Sequence, residues 1–270
     1  MKITSKGILS DFIFHEYNGK IRDHGEFIEA RIPTNPDFYY GNFLVFPDPP
    51  NLDDVNRWST LFDRIFNDDP RIRHKVFMWE PFRSANSAVI AEFERRGYKF
   101  DVGTVLATHQ TVAPKGCPDD VVFRPLASDS DWKMALENQV RCRDSSYEEQ
   151  GYRSFKTVRM ATYRNMQNEG LGYWYGAFRD QVLVADMGIF HDNGVSRFQN
   201  VGTDPAHRRQ GICAAMVHYV STETRQKRPG NTLIIIADRG EPAERIYRGL
   251  GFKLIETLES VMLRPVSEST

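Results

Sequence analysis

The chain has little cysteine, no long uncharged apolar run and no surplus of charge of either sign. Its three cysteines, Cys117, Cys142 and Cys213, form no CxxC pair, and one stays unpaired even if two bond. That usage fits free thiols in a reducing compartment. Seven histidines join them without metal-ligand spacing, so no metal site is expected. Lys and Arg number 35 against 36 Asp and Glu, a formal net charge of -1. Such a balance recruits neither nucleic acid nor an anionic membrane. No apolar stretch is long enough to cross a bilayer. The opening Met1 to Gly7 leads only into short apolar stretches broken by Asp11, His15 and Glu16, which is no signal-peptide core. The Walker phosphate loop and the dinucleotide glycine fingerprint are both absent. A cytoplasmic protein is therefore expected, a monomer or homodimer with no nucleic-acid or membrane partner.

What is present is enough apolar material for real cores: 270 residues, 40% of them hydrophobic. That length suits two modest domains. The stretch Thr111–Asp120 holds Pro114, Gly116, Pro118 and two aspartates between strand-like runs at Val102–Thr108 and Val121–Arg124. It predicts a first domain over 1–112, a linker over 113–120 and a second domain over 121–270.

The two halves close on related patterns, which suggests a duplicated α/β unit. In the first, the strand Lys75–Trp79 precedes a helix from about Ala85 to Arg96, then Gly97-Tyr98 and another strand. In the second, Leu233–Ala237 precedes a helix from about Pro242 to Leu250, then Gly251-Phe252 and a strand ending near Met262. Proline in the first helical turn and glycine just past the last are the expected chemistry. Upstream, helical segments are read near Asp131–Arg143 and Tyr152–Asn168. Strands Tyr173–Phe178, Val182–Phe190 and Val195–Thr203 follow, separated by Arg179-Asp180-Gln181 and by a turn containing Asn193-Gly194. Asn-Gly between strands is a strong hairpin signal, so an antiparallel meander is predicted.

After that third strand comes Thr203-Asp204-Pro205-Ala206-His207-Arg208-Arg209-Gln210-Gly211-Ile212-Cys213-Ala214, running into a helix through about Glu223. A tight turn into a helix leaves backbone N–H groups unpaired at the positive end of the helix dipole, where an anion can sit. Gly211 lets the backbone approach a phosphate closely. Arg208 and Arg209 add charge-assisted donors. Read alone, this turn slightly favours an ordinary helix start at Asp204-Pro205 with solvated arginines.

Arg208-x-x-Gly211-x-Cys213-Ala214 after a strand resembles the acetyl-CoA signature of the GNAT N-acetyltransferases, and Tyr247-Arg248-Gly249-Leu250-Gly251-Phe252 resembles the Tyr-x-x-x-Gly-Phe step of the same family. The resemblance covers about Val121 to Arg264. It implies an α/β (α+β) fold of two tandem GNAT-like domains, each a mixed, mostly antiparallel splayed sheet flanked by helices. It implies acetyl-CoA as co-substrate, wedged between the strand ending at Thr203 and the strand Leu233–Ala237. Main-chain groups of Val201, Gly202 and Thr203 would hold the pantetheine and the thioester carbonyl. Arg208, Arg209, Gln210, Gly211, Ile212, Cys213 and Ala214 would surround the pyrophosphate. Tyr247 would protonate the departing thiolate. The implied reaction is direct attack of a primary amine of a small molecule, such as an amino acid or aminated metabolite, on the thioester. The alternatives are a protein N-terminal or lysine acetyltransferase, and a noncatalytic acyl-CoA sensor.

The sequence departs from the pattern at three places. Cys213 stands for the usual Gly or Ala. Gly240 stands where many relatives have asparagine. No glutamate lies on Val195–Thr203 to serve as base. Asp186, His191, Glu148 and Glu149 are candidate substitutes, but each reads rather as an ordinary surface or hairpin residue, and the base is left unassigned. A Cys213 nucleophile has no histidine placed by any motif to serve it.

The first half resembles a degraded copy. Gly41–Phe46 is the strand that should precede a cofactor turn, but Pro47-Asp48-Pro49-Pro50-Asn51-Leu52-Asp53-Asp54 follows. That segment is acidic and short of backbone donors, so it disfavours a pyrophosphate. Phe93 replaces the tyrosine matched by Tyr247. This half is expected to bind no acetyl-CoA. Phe38, Tyr39, Tyr40, Trp79 and Phe82 read as core rather than cleft, and Arg71–Lys75 as a solvated turn.

Overall fold

A computed structural model describes residues 1–116, 118–192 and 194–265. Cys117 and Asn193, singled out above, lie outside them. The chain divides into two compact units, Met1–Val105 with Glu256–Thr270, and Leu106–Ile255.

In the first unit, helix α1 (Lys6–Asn18) starts at Ser5, whose side chain accepts the Ile8 amide, and buries Ile8, Phe12 and Ile13. Strands β1 (Lys20–Asp23) and β2 (Ile28–Arg31) pair antiparallel. Sequence reasoning did not identify these first three elements. Strand β3 (Phe43–Phe46) lies antiparallel to β2 and parallel to β4 (Lys75–Trp79). Helices α2 (Asp54–Phe66) and α3 (Ser87–Arg95) bury Trp58, Phe62 and Phe93 against Phe46, Phe77 and Trp79. Trp79 is thus core, as read, whereas Phe82 is exposed. Strand β5 (Lys99–Thr108) follows.

The second unit is the expected meander. Strands β6 (Val122–Pro125), β7 (Gly172–Arg179), β8 (Val182–Asp192) and β9 (Val195–Thr203) pair antiparallel in sequence order. The β7–β8 turn places Asp180 and Gln181 at φ 48° and 65°, the two positive angles that the right-handed twist of a tight hairpin demands. Helices α4 (Asp129–Arg141), opened by a Ser128–Asp131 capping box, and α5 (Glu149–Asn168) connect β6 to β7. Helix α6 (Ile212–Lys227), strand β10 (Thr232–Asp238), helix α7 (Pro242–Gly249) and strand β11 (Lys253–Leu263) complete the chain.

The paired Gly-aromatic steps adopt the same closure. After α3, Gly97 has φ 87°, the Tyr98 amide bonds the Phe93 carbonyl at 3.1 Å and their rings lie 5.1 Å apart. After α7, Gly251 has φ 92°, the Phe252 amide bonds the Tyr247 carbonyl at 3.1 Å and their rings lie 6.4 Å apart. This six-residue helix stop, with its apolar clasp, needs a residue free to take positive φ. It makes Phe93 and Tyr247 equivalent positions of the two units.

The expected boundary kept 121–270 together, yet the end of β11 groups with the first unit. Its residues Ser260–Leu263 pair antiparallel with Met78–Lys75 of β4, and Val261 is wholly buried in the first unit's aromatic core. The segment 113–116, read as linker, lies within the second unit.

Candidate cofactor cleft and its neighbours

Strands β9 and β10 pair in parallel only over Val195–Arg197 and Thr232–Ile234. Beyond Arg197, β9 continues through Phe198–Thr203 and β10 through Ile235–Asp238 with no mutual pairing. The two strands part, and the backbone groups facing the gap are left for another partner. A bulge accompanies the parting. The β8–β9 register shifts between Asp186↔Gly202 and Gly188↔Gln199, and Asn200 takes φ 49°. The equivalent strands of the first unit stay paired to their ends, through Phe46↔Trp79, and the Glu80 amide adds a bond to the Phe46 carbonyl at 3.0 Å.

The turn after β9 prepares a helix N-terminus. Asp204 accepts the Ala206 amide and bonds Arg141 at 2.7 Å. Pro205–His207 forms one tight turn, then Arg209 and Gly211 take φ 62° and 80°. No side chain caps α6. Its first described amide bond is Ala215 to the Gly211 carbonyl at 3.0 Å, so the amides of Ile212, Cys213 and Ala214 precede the helical ladder. A Cβ on Gly211 would lie 3.3 Å from the Gly116 carbonyl oxygen in addition to the positive φ. Arg208 and Arg209 are exposed, and Arg208 Nε bonds the Thr203 carbonyl at 3.2 Å. The Gln210 side-chain oxygen accepts from Arg179 at 3.0 Å, and that arginine also pairs with Asp120, which leaves the amide N–H groups of Gln210 as its donors for an anion.

Tyr247 is 4% exposed and packs in a core cluster with Phe198, Ile212, Met216 and Phe252. Burial raises its phenol well above the ordinary value, the neighbouring Cys213 adds to that, and Arg197 opposes it. The ring therefore stands among the start of α6, the last paired residue of β9 and α7. Its hydroxyl has no hydrogen-bond partner among the described residues. Burial also pushes the Cys213 thiol up to about 12, which leaves almost no thiolate for a nucleophile.

The structure separates the proposed bases. Glu148 caps α5 by accepting the Gln150 and Gly151 amides, and Glu149 pairs with Arg143 and Arg153. His191 meets Ser196 at 2.9 Å beside the start of β9, away from the bulge, and burial lowers it to about 4. Asp186 lies opposite Gly202 and is entirely buried.

Sequence reasoning missed the side chains around Asp186, namely Asn138 and Gln139 of α4, Lys156 of α5 and Trp174 of β7. The one available signal was a single charge in the apolar run Val182–Phe190. Among the described residues no cluster of three His, Cys, Asp or Glu could hold a metal, and no helix is long and apolar enough to cross a membrane.

Residues 143–261 match the family model described as "Acetyltransferase (GNAT) domain". No curated protein matches the chain. Among solved structures, a functionally unknown conserved protein from Staphylococcus epidermidis is similar at 14% identity and TM-score 0.76, over 98% of this chain and 99% of that one. A GCN5-related N-acetyltransferase from Kribbella flavida is similar at 18% identity and TM-score 0.64, over 98% of each chain. A tandem GNAT protein from the clavulanic acid biosynthesis pathway is similar at 10% identity and TM-score 0.52, over 79% of this chain and 70% of that one. At these identities the structural likenesses concern the fold.

Proposed function

From the premise that this chain carries a GNAT acetyltransferase domain and is an acyltransferase, we propose that it moves an acetyl group from acetyl-CoA to a primary amine of a small molecule. The parting of β9 from β10 beside the uncapped start of α6 carries this reading. A pantetheine arm between the strands would satisfy the amides that β10 does not. A pyrophosphate would meet the amides of Ile212, Cys213 and Ala214 at the positive helix end, where the dipole and oriented N–H groups favour an anion. Arg208 and Arg209 are exposed and positively charged, so they would add attraction from the rim.

In the reaction, the amine nitrogen attacks the thioester carbon, the carbon–sulfur bond breaks, and the amine loses a proton. Charge develops first on the carbonyl oxygen, for which β9 main-chain N–H groups are suited, and then on sulfur. Tyr247 is held neutral by burial and would donate a hydrogen bond to that sulfur. No proposed base stands unengaged at the bulge, so the amine proton would leave through water.

The first unit is the degenerate copy in this reading. Its β3–β4 pair does not part, Phe46 stacks on Trp58 at 3.8 Å where the strand ends, and Phe93 replaces the phenol. Titration calorimetry with acetyl-CoA tests the proposal. One site per chain, weakened in Arg208→Glu, is expected. Two sites would refute the degenerate copy, and none would refute the cofactor.

A further inference from the structure

Asp186 is an acidic side chain with 0% exposure on a strand whose residues Leu183–Phe190 are all buried; burial raises its carboxyl to about 7, against the lowering pull of the Asn138, Trp174 and Gln139 donors and of Lys156. Taking a carboxylate out of water is expensive, and an apolar residue of similar size is often as stable or more so. Its use lies in what it holds. It accepts from Asn138 Nδ2 at 2.5 Å, from Gln139 Nε2 at 3.1 and 3.0 Å on its two oxygens, and from Trp174 Nε1 at 2.7 Å. Only an acceptor fits there: an asparagine amide would turn an N–H toward one of these donors.

Each of the two amides spends its second hydrogen on β9. Asn138 Nδ2 bonds the Gly202 carbonyl at 3.2 Å, and Gln139 Nε2 bonds the Asn200 carbonyl at 2.8 Å. The Gln139 oxygen accepts from Lys156 Nζ at 3.1 Å, which fixes which end of the amide is nitrogen. Lys156 is itself 2% exposed, and burial lowers it to about 7 while the neighbouring Asp186 opposes that shift. There is no slack, since a Cβ on Gly202 would lie 3.2 Å from Gln139 Nε2 and 3.3 Å from Cys142 Sγ.

The peptide bonds of the described residues are trans. In a planar trans peptide the carbonyl and the next N–H point opposite ways. Holding the Asn200 and Gly202 carbonyls toward α4 therefore aims the N–H groups of Val201 and Thr203 away from it. We infer that Asp186 is a positioning residue for acyl transfer: by locking the Asn138 and Gln139 amides it aims the Val201 and Thr203 N–H groups at the acyl thioester. This rests on the reading that acetyl-CoA occupies the cleft beside β9.

The test uses acetyl-CoA isotopically labelled at the thioester carbonyl, with calorimetry for affinity and difference infrared spectroscopy for the carbonyl band. The wild-type protein should bind and lower the band frequency, as expected of a carbonyl received by aimed N–H groups. Asp186→Asn should keep its affinity, since the pyrophosphate contacts are untouched, yet lose the shift. Turnover should fall on the order of 100-fold, the typical cost of misplacing a reacting group by about 1 Å. Gln139→Met leaves the carboxylate its other donors and should lose part of the shift, which decides the matter if Asp186→Asn fails to fold. Folded variants that bind with the wild-type band position overturn the inference, even if they melt earlier. Wild-type protein that binds no acetyl-CoA overturns the cofactor reading itself, and this assignment with it.

Discussion

Replacing Tyr247 by phenylalanine separates a functional phenol from a packed ring, because only the first reading costs turnover while both leave stability nearly unchanged. The ring is 4% exposed in the second unit's core, so phenylalanine keeps the apolar contacts. The hydroxyl that is lost has no partner among the described residues. Removing it breaks no hydrogen bond among the described residues, so the variant should stay within about 0.5 kcal/mol of wild type. For a unit of this size that is a change of no more than about 1–2 °C in Tm. Turnover should fall. Assistance by a positioned acid is typically worth about 10²–10⁴-fold. Burial holds the Tyr247 phenol well above its ordinary value, whereas a free thiol titrates near about 8.5. Complete transfer to the thiolate is then uphill, and a hydrogen bond to developing charge remains, which points to about 100-fold, the lower end of that range. The measurements are thermal melting, acetyl-CoA affinity by calorimetry, and kcat with an amine found by screening. Unchanged affinity, a nearly unchanged Tm and a depressed kcat are expected. A variant with full kcat would refute the role of the phenol, and one that melts markedly earlier would refute the account of its hydroxyl.

Gly211→Ala should weaken acetyl-CoA binding about 5- to 30-fold, because a left-handed residue with a Cβ costs about 1–2 kcal/mol and the turn must shift to relieve it; unchanged affinity in titration would show that the turn is not part of the site. Arg208→Glu should weaken binding by about tenfold or more at low ionic strength and by less in high salt, since an exposed charge is screened; a salt-independent loss would point to misfolding instead. Burial lowers His74 from 6.5 to about 4, so the folded state holds fewer protons than the unfolded one between those values. Its contribution to stability is present above pH 6.5 and lost as the pH falls through 4, about 3 kcal/mol at 1.36 kcal/mol per pKa unit. Denaturant unfolding of His74→Gln should therefore show a shallower acid limb than wild type, and an equal slope would mean that other groups carry it.

Much of the second unit was legible in the sequence because its signals are local. Alternation and turn residues gave β9 its observed bounds, and glycine after a helix marked both helix stops, since positive φ is a property of one residue and its neighbours. The basic turn before α6 could be read for the same reason. Nothing local told β3–β4, paired to its end, from β9–β10, which parts after Arg197, because parting depends on what the second strand and the adjacent bulge do. Nor did any local pattern place the end of β11 in the first unit, because an apolar strand fits whichever sheet leaves it an open edge, and Val261 found its partners around Phe77 and Trp79. Asp186 stands at the same limit. The sequence shows one acid in an apolar run; only tertiary structure brings residues 138, 139, 156 and 174 around it, because a buried carboxylate is defined by the donors that other segments bring to it.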